Sequence, residues 1–168
     1  SFVDTYFSVN GLKGTSEIAK IAEQLTISDA GLATYYTDCA LDFTGFDDMY
    51  AYTASFKDNG LELTRIKGVV PAETGVLLRN PKGGAVSNLV PVAEDAEAIA
   101  NNAVIGTLED ITIKKNDDEG NTYYILGKNK DGNIGFYWAS EDGTLVASHK
   151  AYVKVAGSAG DLNLPHDI

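Results

Sequence analysis

The chain has 168 residues, with 24 Asp and Glu against 13 Lys and Arg and a formal net charge of −11 at pH 7. That length suits one domain with a self-sufficient core, and 44% hydrophobic residues, nine Tyr among them, exclude a disordered chain. The acidity argues against nucleic acid and anionic membrane surfaces as partners, because clustered Lys and Arg are what hold both; the longest basic cluster, Lys114-Lys115, runs directly into Asp117-Asp118-Glu119.

Residues 2–9 alternate as a first strand should. Thr15-Ser16-Glu17 then offers a helix N-cap with an acidic first turn, and Ile18, Ile21, Ala22 and Leu25 follow at helical spacing. This predicts one short N-terminal helix over residues 16–24. From Leu25 onward the pattern is β. Strands are predicted over 25–28 and 32–36, separated by the turn Asp29-Ala30-Gly31. The run 49–56 places Tyr50, Tyr52, Ala54 and Phe56 on alternate sites, and Asn59-Gly60 folds it back onto 61–66.

Pro71-Ala72-Glu73-Thr74-Gly75 feeds Val76-Leu77-Leu78, an uninterrupted apolar run that reads as a strand buried on both faces. A strand over 85–92 follows the turn Pro81-Lys82-Gly83-Gly84, and the alanine-rich segment 94–101 suggests one or two helical turns. Further strands are predicted over 111–114, 122–126, 134–138 and 151–155. Asn129-Lys130-Asp131-Gly132-Asn133 and Glu141-Asp142-Gly143 read as hairpin tips. Leu162, Leu164 and Ile168 suit a last edge strand. Without long crossover helices a parallel sheet is excluded. The reading is an all-β, mostly antiparallel fold, a β-sandwich or partly closed barrel, with residues 1–24 packing on a module of residues 25–168.

The inventory of chemistry is short. There is no nucleophile elbow, His-Glu zinc motif or phosphate-binding glycine loop. Only His149 and His166 are present, so a conventional zinc site is not expected, and no cofactor is implied. Cys39 is the single cysteine, which excludes an intrachain disulfide; with no histidine near it in sequence, it reads as an inert, partly buried thiol. The loops 116–121 and 129–133 carry oxygen ligands of the kind Ca2+ prefers, without the spaced pattern of a helix-loop-helix site. Twenty-four acids make carboxylate pairs easy to find, so a glycan-active enzyme is the least supported reading.

The aromatics are the better site candidates. Along 134–138, Phe136 and Trp138 share one face and Tyr137 takes the other, while Tyr123 and Tyr124 also point oppositely. One member of each pair is expected inside, and the other is free to stack on a sugar or press on a partner protein. Tyr137, Trp138, Tyr124 and Tyr123 are therefore the ligand-binding candidates, and no catalytic or metal-binding residue is assigned.

Several stretches, in order, resemble a module of large secreted and surface proteins of Gram-negative gut bacteria. They are Asp29-Ala30-Gly31-Leu32-Ala33-Thr34-Tyr35-Tyr36, Ala40-Leu41-Asp42-Phe43-Thr44-Gly45 and Val70-Pro71-Ala72-Glu73-Thr74-Gly75-Val76-Leu77-Leu78. Tyr124-Ile125-Leu126-Gly127, Gly135-Phe136-Tyr137 and His149-Lys150-Ala151-Tyr152 follow. The resemblance covers about residues 25–155 and implies a C-terminal β-sandwich near leucine-rich repeats or sugar-processing domains, with no catalytic motif. It makes His149 a structural residue. The expectation is a non-catalytic module of an exported or cell-surface protein with a scaffold or adhesion role, its leader not part of the chain. A glycan or a surface protein is the expected partner, and membrane insertion is not expected. A carbohydrate-binding module is the second reading.

Overall fold

The computed structural model describes residues 3–10, 16–157 and 160–164, with side chains from Lys20 onward. The fold is all-β. The strands are β1 (Val3–Asn10), β2 (Ser16–Ile27), β3 (Leu32–Tyr35), β4 (Ala40–Asp42), β5 (Tyr50–Lys57), β6 (Gly60–Ile66), β7 (Val69–Val70) and β8 (Val76–Arg79). They continue with β9 (Val86–Ala93), β10 (Val104–Gly106), β11 (Ile111–Ile113), β12 (Asn121–Lys128), β13 (Ile134–Trp138), β14 (Thr144–Val146), β15 (Ala151–Ala156) and β16 (Leu162–Asn163). All the strand pairings are antiparallel.

Three sheets and a ribbon result. Their strand orders are β1-β2-β9-β4-β7, β3-β8-β5-β6 and β10-β15-β12-β13-β16, with β11-β14 as the ribbon. None closes on itself, so among the described residues the partly closed barrel is not formed.

The four-stranded sheet has a core on each face. On one side Ala51, Val76 and Leu78 meet Leu25, Ile27, Leu41 and Val90 of the first sheet. On the other, Tyr52, Ala54 and Leu77 meet Tyr124, Phe136, Val153 and Val155 of the third. Successive strand residues point to opposite faces, so the unbroken apolar run of β8 serves both cores, as its sequence predicts. Ile113, Val146, Ala139 and Tyr152 form a smaller cluster where the ribbon covers the outer face of the third sheet.

Local signals fail in three places. Residues 16–24 are part of strand β2, not a helix. Six rungs against β9, from Ala22↔Pro91 to Ile27↔Val86, and burial of Glu23, Leu25 and Ile27 at a spacing of two override the helical spacing. β2 also runs unbroken through Gln24 and Leu25, and the Thr15 cap lies outside the described residues. Residues 94–101 form an irregular connection with a turn rather than helical turns, since their side chains are exposed and bury no stripe. Gly143 turns the chain at 140–143, yet this is not a hairpin, because β13 pairs with β12 and β16 while β14 pairs with β11. The hairpin tip at Lys57-Asp58-Asn59-Gly60 does form: Lys57 pairs with Gly60, and Asp58 and Asn59 take the two positive φ values, 53° and 63°. The tail does supply an edge strand, β16, through Leu162; Ile168 lies outside the described residues.

Leu77 is fully buried between the middle and third sheets. Leu77→Ala is expected to lower the unfolding free energy by about 2–5 kcal/mol in a urea titration. Leu145→Ala, at a side chain 66% exposed on the ribbon, is expected to change it by no more than about 0.5 kcal/mol.

Candidate functional site

The four predicted aromatics do not come together. Tyr124 is fully buried in the core beneath the third sheet. Trp138 lies directly opposite it on β13 and so shares its face, but it sits at the strand end, where it is 44% exposed. The Lys115 ammonium lies over its ring, 3.7 Å from the centroid. Tyr137 points to the outer face and donates its hydroxyl proton to the Asn133 carbonyl at 2.7 Å. Tyr123, half-buried on that outer face, packs on Tyr152 and donates to Asp117 Oδ2 at 2.8 Å. A flat platform needs neighbouring rings on one face with an open side. Tyr137 and Trp138 are on opposite faces, and the Trp138 ring has a cation over it.

The acidic loops are spent on their own turns. Asp117 accepts the amides of Glu119 and Asn121, the Asn121 side-chain amide and the Tyr123 hydroxyl. Hydrogen bonds from Asn121, then from Tyr123 and Glu119, hold its carboxyl well below the usual carboxylate range. Asn129 Oδ1 likewise accepts the amides of Asp131 and Asn133. These are Asx turns with a local mechanism.

The chemistry that sequence reading missed lies at the edge of the first core. Glu23 is completely buried on β2. Tyr35 donates its hydroxyl proton to Glu23 Oε1. Oε2 accepts from Thr37 at 2.8 Å, Cys39 at 2.7 Å and the Lys20 ammonium at 2.9 Å. Burial pushes the Glu23 carboxyl up, but these donors, Cys39 foremost, more than offset it, so its pKa is lowered. The same contact raises the Cys39 thiol: burial first, then the Glu23 hydrogen bond and charge, push it to about 12. The thiolate is the reactive form, and at pH 8 it amounts to roughly one molecule in ten thousand.

Ligand atoms of Glu23, Asp38 and Cys39 lie within 4.8 Å of one another, and these donor types suit zinc. The set does not fit a metal as it stands. Lys20 already supplies the counter-charge to Glu23, and an ammonium against the donor set opposes a second cation there. The signal for this network was present in the sequence: Glu23, Leu25 and Ile27 alternate, which places a carboxylate on the apolar face of any strand drawn there.

On β3, in the facing sheet, the Tyr35 ring stacks on His149, with centroids 6.1 Å apart and planes 20° apart. His149 Nδ1 is 2.9 Å from the Tyr36 carbonyl oxygen, and since a carbonyl only accepts, Nδ1 carries the proton. The backbone of His149 is left-handed, φ 62°, and is held there by a 2.7 Å hydrogen bond from its N–H to the Thr107 oxygen. Tyr35 and His149 are 114 residues apart, so local pattern carries no sign of the pair.

Two measurements check this geometry. Because the Glu23 pKa is lowered in the fold, its contribution is complete above the ordinary carboxylate value of 4.5 and is lost as pH falls through the folded value. Glu23→Gln is expected to cost about 1–3 kcal/mol at pH 7 and to flatten the acid limb of the stability–pH curve. Cys39 is expected to react with a disulfide reagent at pH 8 on the order of a hundredfold more slowly in the folded chain than in urea, the smaller thiolate fraction outweighing the greater nucleophilicity of a high-pKa thiolate. Comparable rates would show that the thiol is not held by Glu23. Comparison with family models, curated proteins and solved structures returns no match to the chain.

Proposed function

We propose that the chain is a non-catalytic β-sandwich module of a secreted or cell-surface protein, with a scaffold or adhesion role toward a surface protein or a glycan. One observation carries this reading. The place where a buried acid, a thiol and hydroxyls converge is closed on itself, each donor directed at Glu23 and the thiol kept protonated. Nucleophilic catalysis needs the opposite, a base that removes a proton from a reachable nucleophile. The sheet-on-core-on-sheet arrangement supports a load-bearing role, since each core is clamped between antiparallel ladders. The strong acidity supports a module that stays dispersed outside the cell. The resemblance of residues 25–155 to surface-protein modules points the same way.

Turnover and exposure test it. The purified chain is expected to release no product from oligosaccharide, ester or peptide substrates above buffer rates. Antibody to the chain is expected to label intact source cells. Turnover abolished by Glu23→Gln or Cys39→Ser would overturn the non-catalytic reading, and labelling that appears only after lysis would overturn the surface location.

A further inference from the structure

A cleft of about 620 Å3 opens between β2 and β3 on one side and the turn before β15 on the other. Its volume falls within the range of small-ligand sites. Gln24 and Thr26 of β2, Tyr35 of β3, and Ser148, His149 and Lys150 of the turn shape its polar wall. Leu32 and Leu126 supply an apolar strip.

The sign of its charge sets this cleft apart. The chain carries 24 acids against 13 Lys and Arg, yet among the described residues no Asp or Glu lines it, and its basic groups are His149 and Lys150. No carboxylate of the described residues pairs with the Lys150 ammonium. Partial desolvation holds that ammonium below the ordinary lysine value, although the residue as a whole stays exposed.

The walls are also fixed in place. The Lys150 amide donates to the Ala147 carbonyl at 3.1 Å, and Thr34 Oγ1 accepts the next amide, Ala151, at 3.0 Å. His149 is locked between Tyr35, the Tyr36 carbonyl and Thr107, in a backbone conformation that a non-glycine residue rarely adopts. Strain of this kind persists only where the surroundings over-determine it, and it concentrates at ligand clamps.

The geometry points to a binding site for a carboxylate-bearing sugar of the uronic-acid class in the cleft between Tyr35 and Lys150. Lys150 answers the carboxylate and the Ser148 hydroxyl suits a ring hydroxyl; Thr26 and Gln24 already meet at the Ser87 hydroxyl, which leaves each of them further donor or acceptor capacity for the ring, and Leu32 and Leu126 suit the C–H face. Among the described residues no carboxylate pair for glycosidic hydrolysis lines the cleft. This assignment rests on the non-catalytic adhesion reading and gives it a ligand.

Titration of the 15N-labelled chain with galacturonate and digalacturonate tests it, with galactose and acetate as neutral and bare-charge references. Saturable shifts are expected at the amides of Thr34, Tyr35, Ser148 and Ala151. Galactose is expected to bind at least about tenfold more weakly, and Lys150→Gln to weaken galacturonate by a similar factor, the usual worth of one charge-assisted hydrogen bond. Unchanged amide positions remote from the cleft would show that the variant is folded. The assignment is overturned if those amides do not shift, if galactose or acetate matches galacturonate, or if folded Lys150→Gln binds as the parent does. Release of free galacturonate from digalacturonate would instead overturn the non-catalytic reading, whereas a simple lack of binding leaves that reading standing.

Discussion

The constraint on which the structure depends is the double burial of the four-stranded sheet. A sheet with a core on each face must be apolar at successive positions, not alternate ones. β8 meets this with Val76 and Leu78 on one side and Leu77 on the other, all buried. β5 meets it with Ala51 opposed to Tyr52 and Ala54. The first sheet packs one face on one of these cores, and the third adds a smaller apolar patch on its outer face under the ribbon. Among the described residues Trp138, at the end of β13, is the one ring among the exposed large hydrophobic side chains.

Close approach between layers is bought by glycine at two points. Tyr36 lies against Gly106 so closely that a Cβ there would fall within the tyrosine side chain. Gly75 sits against the Val104 carbonyl, where a Cβ would be 2.8 Å from the carbonyl carbon. Both contacts join the middle sheet or its connections to β10 of the third sheet. They set the spacing of the second core and bring the turn at Ala147–Lys150 near β3, through the Tyr36–His149 hydrogen bonds. The cleft is thus a product of how the layers meet and belongs to no single sheet.

Glu23 shows how a polar group is kept inside such a core. A carboxylate without partners would be costly there. Four donors from β2, β3 and the following segment satisfy it, so that removing one partner strands the rest. The result ties the first sheet to the middle one by directional bonds as well as by apolar contact. It also silences Cys39, whose proton is committed to the carboxylate.

The amino-acid sequence by itself determined the class and most of the strands. Glycine and Asn/Asp at reversals and alternation between them are local properties, and β8, β12, β13 and β15 follow from them almost residue for residue. The inward and outward division along 134–138 is equally local, because the pleat alternates with period two. Tertiary structure decided the rest. Residues 16–24 satisfy helical spacing and strand alternation alike, and the ladders with β1 and β9 select the strand. Short partners such as β7, β10 and β14 carry too little pattern to announce themselves. Which face of Trp138 and Tyr137 meets a neighbour depends on where the next layer ends, and the meeting of Tyr35 with His149 and Lys150 depends on strands from different sheets. Such contacts join residues more than a hundred positions apart, and their energies are realised only after the layers have assembled.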